Sequence, residues 1–176
     1  ILEDSIADYL KTMKLFKDVG DYYDVNISCP NTQEGEPFVD KKNLDKLLTA
    51  INKEIRPITD KPIYVKLAAD MTLDEINIIV DACVEHGMDG VVCTNLAKPQ
   101  YNTEHRPEEY PTVDGRLPEG KGAMSGLPLQ RISTNVIRHV YRRTKGKLTI
   151  IGVGGIFSAK DAYEKICSGA SLLHMI

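Results

Sequence analysis

The 176 residues predict an α/β fold: a partial (β/α)8 TIM barrel whose parallel strands are covered by helices. Three observations carry that expectation. Helix-period and strand-rich segments alternate along the chain, the pattern of parallel sheets. The strand segments are almost continuously apolar, as in strands buried on both faces. Polar and glycine residues gather just after several of those strands, at the end where barrels and open α/β sheets hold their sites. A whole barrel takes about 250 residues. Residues 1–176 are therefore expected to be the later part of one barrel domain, incomplete at both ends. A small doubly wound sheet is the alternative.

The elements follow in order. Residues 3–18 place Ile6, Leu10, Met13 and Phe16 at helical spacing. Residues 22–28 (YYDVNIS) read as a strand. Residues 40–55 set Leu44, Leu47, Leu48 and Ile51 on one helical face. Residues 62–68 (PIYVKLA) begin with proline, which suits a strand start. Thr72 with Glu75 forms a capping-box pattern for a helix over 73–86, and Gly87 ends it. Residues 90–95 (GVVCTN) read as a strand. Residues 96–124 form a loop rich in Pro and Gly, longer than the ~15 residues of ordinary connections. Residues 128–144 are helical, with Leu129, Ile132, Val136, Val140 and Tyr141 turned inward. Residues 148–154 (LTIIGVG) form a strand, Ser158 caps a helix to about 167, and Gly169 stops it. Residues 171–176 begin a last strand.

Composition excludes several classes. Net charge is −3 with only 6% aromatic residues and no Trp, so neither a basic nucleic-acid surface nor a base-stacking platform is expected. No apolar run approaches the ~18 residues of a membrane span, and no signal-peptide pattern opens the chain. Cys29, Cys83, Cys93 and Cys167 show no CxxC spacing and read as reduced thiols, the last three as core residues. The four histidines show no metal-ligand spacing, so no metal site is expected. The acidic run Glu104 to Glu109 reads as a solvated part of the loop.

The strand ends carry the chemistry. Asn26-Ile27-Ser28-Cys29-Pro30-Asn31-Thr32, Lys66, Thr94-Asn95 and Gly152-Val153-Gly154-Gly155 all fall at one end of the expected sheet. Glycines at a strand–helix junction let backbone N–H groups approach a phosphate. The same GxGG also serves as a plain tight turn, and it is not the GxGxxG of a Rossmann dinucleotide site. Lys66 sits in an apolar strand, where an ammonium either reaches the strand end or faces an anion. Cys29 can act as base or nucleophile if its site tunes it. Asn26, Asn31 and Asn95 each offer a donor and an acceptor, which suits a planar amide or imide ligand.

The segments NISCPNT, YVKLAADMT, VVCTN, MSGLPL and IIGVGGIFSAKDAYEKICSGASL together resemble dihydroorotate dehydrogenases, in order and over most of the chain. Ser125 through Ala170 resembles the quinone-dependent class 2. The resemblance implies FMN at the barrel mouth and oxidation of (S)-dihydroorotate to orotate in pyrimidine synthesis. It implies Cys29 as the catalytic base, and Asn26, Asn31, Thr32 and Asn95 as substrate contacts. It implies Asn26, Lys66, Thr94, Ser125, Gly126, Val153, Gly154 and Gly155 as cofactor contacts. It implies a quinone or another electron acceptor, a homodimer as one assembly, and a cytoplasmic or peripheral inner-membrane location through residues outside this chain. Some positions depart from the class 2 pattern. Class 2 members usually carry Ser where Cys29 stands, Thr where Leu96 stands, and Tyr where Ile176 stands. Two other readings stay open: a different FMN barrel such as a tRNA dihydrouridine synthase, and a barrel portion without catalysis.

Overall fold

In the computed structural model the described residues are 2–28, 37–97 and 123–175. They form five parallel strands and five α-helices in strict alternation. Helix α1 (Leu2–Leu15) precedes β1 (Tyr23–Asn26), and α2 (Lys41–Glu54) leads to β2 (Ile63–Leu67). Helix α3 (Leu73–Glu85) leads to β3 (Gly90–Cys93), and α4 (Leu129–Thr144) to β4 (Thr149–Val153). Helix α5 (Ala159–Cys167) leads to β5 (Leu172–His174). Each strand pairs only with its sequence neighbours, in the order β1-β2-β3-β4-β5. A doubly wound sheet reverses its strand order at a switch point; this one does not. Consecutive right-handed crossovers therefore lay the helices on one face. The sheet is an arc of a (β/α)8 barrel.

The two faces of the sheet follow from the two-residue period of a strand. Tyr23, Val25, Ile63, Val65, Leu67, Val91, Cys93 and Ile150 point to the helices and join one core with residues of α1 to α4. The alternate residues point to the barrel interior. Tyr64, Val92 and Ile151 make a small apolar cluster there with Val153 beside it. Register sets Asp24 beside Tyr64 and Asn26 beside Lys66 on that inner face. At the strands' N-terminal end Asp89 accepts from the Ile63 N–H at 2.8 Å and from Arg56 at 2.6 Å, pinning β2 to the turn before β3.

Local chemistry explains the element ends. Thr72 accepts from the Glu75 N–H, and the Glu75 carboxylate accepts from the Thr72 N–H at 2.7 Å, closing the expected capping box. Gly87 follows α3 at φ +64°, and Gly169 follows α5 at φ +120°. Ser158 caps α5 by accepting from the Asp161 N–H.

Several expectations need correction. Helix α1 ends at Leu15, so Phe16 lies beyond it and is 54% exposed. Tyr141, expected on the buried face of α4, is 48% exposed, because it lies over Gly146 and Gly169 at the helix's outer edge. Cys167, expected in the core, ends α5 and is exposed, whereas Cys83 and Cys93 are buried as expected. Of the long loop, Ala97 and Met124 pair as an antiparallel bridge. Its residues 98–122, including Glu104 to Glu109, lie outside the described residues, as do 29–36 with Cys29, Asn31 and Thr32.

Candidate active site

Four adjacent strands deliver polar groups to one end of the sheet. Asn26 is the last residue of β1, and its side-chain oxygen accepts from the Ser28 N–H at 3.3 Å and the Ser28 hydroxyl at 3.1 Å. Asn95, two residues past β3, donates from Nδ2 to the Ser28 carbonyl at 2.8 Å, to Ser28 Oγ at 3.1 Å and to Asn26 Oδ1 at 3.4 Å. Ser28 is therefore the hub that holds both asparagines. It is buried, immediately before Cys29. Nothing in the sequence marks Ser28 for this role, which arises only from contacts made between the ends of β1 and β3.

Lys66 stands beside Asn26 in the β1–β2 register. Its Nζ lies 3.8 Å from Asp24 Oδ2, with both side chains about a quarter exposed. The alternation that puts Asn26 on the inner face puts this anion there too. Burial lifts the Asp24 carboxyl above its ordinary range, and Lys66 and His174 pull it back down. His174 of β5 reaches across the inner face to Tyr22, with His174 Nε2 and the Tyr22 hydroxyl 2.7 Å apart. Tyr22 also meets Tyr64 edge to face at 5.4 Å. His174 therefore belongs to this interior polar set.

Thr94 follows β3 and is buried, and its hydroxyl has no hydrogen-bond partner among the described residues. A buried hydroxyl without a partner costs about 1–3 kcal/mol, so such a group marks a place where a ligand atom belongs. Its backbone N–H donates to the Val153 carbonyl at 3.2 Å, which joins it to the β4 end. There Gly154 and Gly155 turn with φ +107° and +67°. A Cβ on Gly155 would stand 2.4 Å from Gln130 Cα, so only glycine lets the turn lie against the start of α4. Ser125 and Gly126 precede α4. Gly126 (φ +76°) lies near Phe157, just past the glycine turn.

A phosphorylated isoalloxazine cofactor fits this donor set: a glycine cradle for a phosphate, an orphaned hydroxyl, and a lysine on the inner wall. Asn26, Lys66, Thr94, Asn95, Val153, Gly154 and Gly155 are thus brought to one end, with Ser125 and Gly126 at its margin. Among the described residues no group of three His, Cys, Asp or Glu could hold a metal ion. No described helix is long and apolar enough to cross a membrane.

Comparison with known proteins agrees with this arrangement. The family model for dihydroorotate dehydrogenase matches residues 1–176. A dihydroorotate dehydrogenase (quinone) of Synechococcus sp. strain JA-2-3B'a(2-13) is 39% identical over 180 residues, covering 99% of this chain and 47% of the relative. That of Acaryochloris marina is 39% identical over 176 residues, covering 99% and 45%. The crystal structure of DHODH from Eimeria tenella in complex with ferulenol superposes with a TM-score of 0.82 at 28% identity, over 97% of this chain and 48% of that one. The chain spans about half the length of the curated relatives it matches. With every residue inside the family match, the chain belongs to the dihydroorotate dehydrogenase family.

Proposed function

We propose that the protein carrying this chain oxidises (S)-dihydroorotate to orotate with FMN as cofactor and a quinone as electron acceptor. The observation that carries the reading is the convergence of Asn26, Lys66, Thr94 and Gly154 at the ends of four adjacent strands. The quinone follows the names of the relatives.

Each residue has a role that its chemistry allows. Cys29 takes the proton from C5 of dihydroorotate as a thiolate base. Asn26, Asn31 and Asn95, with Thr32, hold the ring imide and the carboxylate, since carboxamides match both donors and acceptors. Ser28 keeps Asn26 and Asn95 oriented through the bonds already described. Bound FMN supplies the two-electron acceptor for the C6 hydrogen. Lys66 supplies positive charge along the flavin's edge, and the Thr94 hydroxyl makes the bond it lacks among the described residues. Val153, Gly154 and Gly155 offer backbone N–H groups to the phosphate, with Ser125 and Gly126 closing the far side.

Anaerobic titration of the full-length protein with dihydroorotate, followed by flavin absorbance, tests the proposal. Bleaching of a bound flavin is expected. In Cys29→Ala the flavin should stay bound while bleaching slows at least about a hundredfold, the usual contribution of a positioned base. A flavin that stays oxidised in the wild type would move the reading to another FMN barrel chemistry.

A further inference from the structure

We propose that Lys165 is a buried counter-charge for the phosphate held by the Gly154–Gly155 turn, a positioning residue that acts from behind the turn. The inference rests on the flavin reading above and goes beyond it to a residue on no strand end. Lys165 lies on α5 and has no exposed surface. Its Nζ donates to Ser133 Oγ at 2.6 Å, to Thr134 Oγ1 at 3.1 Å and to the Gln130 carbonyl at 3.2 Å. Three donors meet three neutral oxygens, all from the first two turns of α4.

An ammonium so deep usually has a carboxylate beside it. None of the ion pairs among the described residues includes Lys165. The charged and titratable groups around it are few among the described residues. Asp161 and Glu164 of its own helix act on it from a distance, and the Asp161 carboxylate is engaged by Ser158 and the Phe157 N–H. From β3 comes the Cys93 thiol, which burial keeps protonated. From α4 comes Arg138, a like charge bonded to Asn135 and Ser168. The hydrogen-bonding capacity of Lys165 is filled, and its charge has no close balance among the described residues.

The missing balance fits the turn in front of it. The glycine turn rests on Leu129, Gln130 and Ser133, and Lys165 grips the last two. A Cβ on Gly155 would fall 2.4 Å from Gln130 Cα, and one on Gly154 would fall 3.6 Å from Ser133 Cβ. Ser133 also donates to the Cys93 carbonyl at 3.5 Å, next to Thr94. A dianion on the turn thus sits one residue layer above a buried cation. Burial lowers Lys165 to about 8, so near neutrality an adjacent anion holds its proton in place. At an effective dielectric of about 20 and a separation of about 10 Å, a charge pair is worth about tenfold in affinity.

The test is the affinity of FMN and of riboflavin, read by flavin fluorescence in the full-length protein between pH 7 and pH 9.5. Wild-type affinity for FMN is expected to fall as pH rises through about 8, with that for riboflavin unchanged. Lys165→Met should bind FMN about tenfold more weakly at pH 7 and lose the pH dependence, yet bind riboflavin as the wild type does. Equal losses for both flavins would make Lys165 merely structural, and equal FMN affinity with a flat profile would also overturn the proposal. If Lys165→Met fails to fold, the wild-type contrast between the two flavins still decides the matter. A wild type that binds neither flavin would sink the flavin reading itself.

Discussion

Lys66 shows how one side chain can face two anions. Asp24 holds it from below at 3.8 Å, and the flavin reading sets a second, developing negative charge above it. The two compete for the same ammonium. Asp24→Asn removes the lower partner and leaves the charge of Lys66 to the cofactor, which favours the reduced form. The flavin's reduction potential at pH 7 is expected to rise by about 20–30 mV, close to a tenfold shift for a two-electron couple. The gap should close at acid pH. Burial raises the Asp24 carboxyl above its ordinary value, so it takes up its proton earlier than a solvated aspartate and the two proteins then carry the same charge. Spectroelectrochemistry over pH 4 to 8 measures this, and identical potentials throughout would refute it. Asp24 was legible in principle, since YDVN alternates and Asn26 had already fixed which face was inward. Lys165 was not. A lysine in a helix reads as surface, and only tertiary packing brings two hydroxyls and a carbonyl of α4 around its Nζ.

At the scale of elements, the sequence reading succeeded where one short-range rule decides the outcome. The capping box at Thr72 and Glu75, the Ser158 cap and the glycine ends all form as expected because each depends on residues within a turn of one another. Burial at the rim was harder. Tyr141 keeps helical phase with Ile137, but it packs over Gly146 and Gly169 and stays half exposed, so the same periodicity places it at an edge. The glycine turn after β4 is the sharpest case of sequence and contact agreeing. Gly155 has φ +67° and no room for a Cβ. Gly155→Ala must adopt a left-handed backbone, at about 1–2 kcal/mol, and push Gln130 aside as well. A loss of about 2–4 kcal/mol in urea unfolding is expected, together with a clear loss of FMN affinity. Unchanged stability would mean that the turn relaxes freely away from α4.

The whole molecule adds a property that no single site shows: the response of its stability to alkali. The order of five parallel strands was legible because helix and strand periods alternate, and burying both faces of that sheet hides several titratable groups. Lys165 falls to about 8 from an ordinary 10.5. Between those values the unfolded chain still binds a proton that the folded one has released, so stability rises with pH, by about 1.4 kcal/mol per pH unit for one proton. Cys83 and Cys93 oppose this. Burial pushes Cys83 up to about 12 and Cys93 higher still, from an ordinary 9.0. Above pH 9 the unfolded thiols lose protons that the folded ones keep, and stability falls. Among these three groups Lys165 outweighs the two thiols between about pH 8 and 9, and they outweigh it beyond. Urea midpoints at pH 7 to 10 for flavin-free wild type and Lys165→Met should show this as a difference curve, flat below about 7.5 and climbing from about 8. The protein's own stability should peak near pH 9. A difference that stays constant to pH 10 would show that Lys165 keeps its ordinary proton inside the fold, and the absence of a nearby carboxylate would then need another explanation.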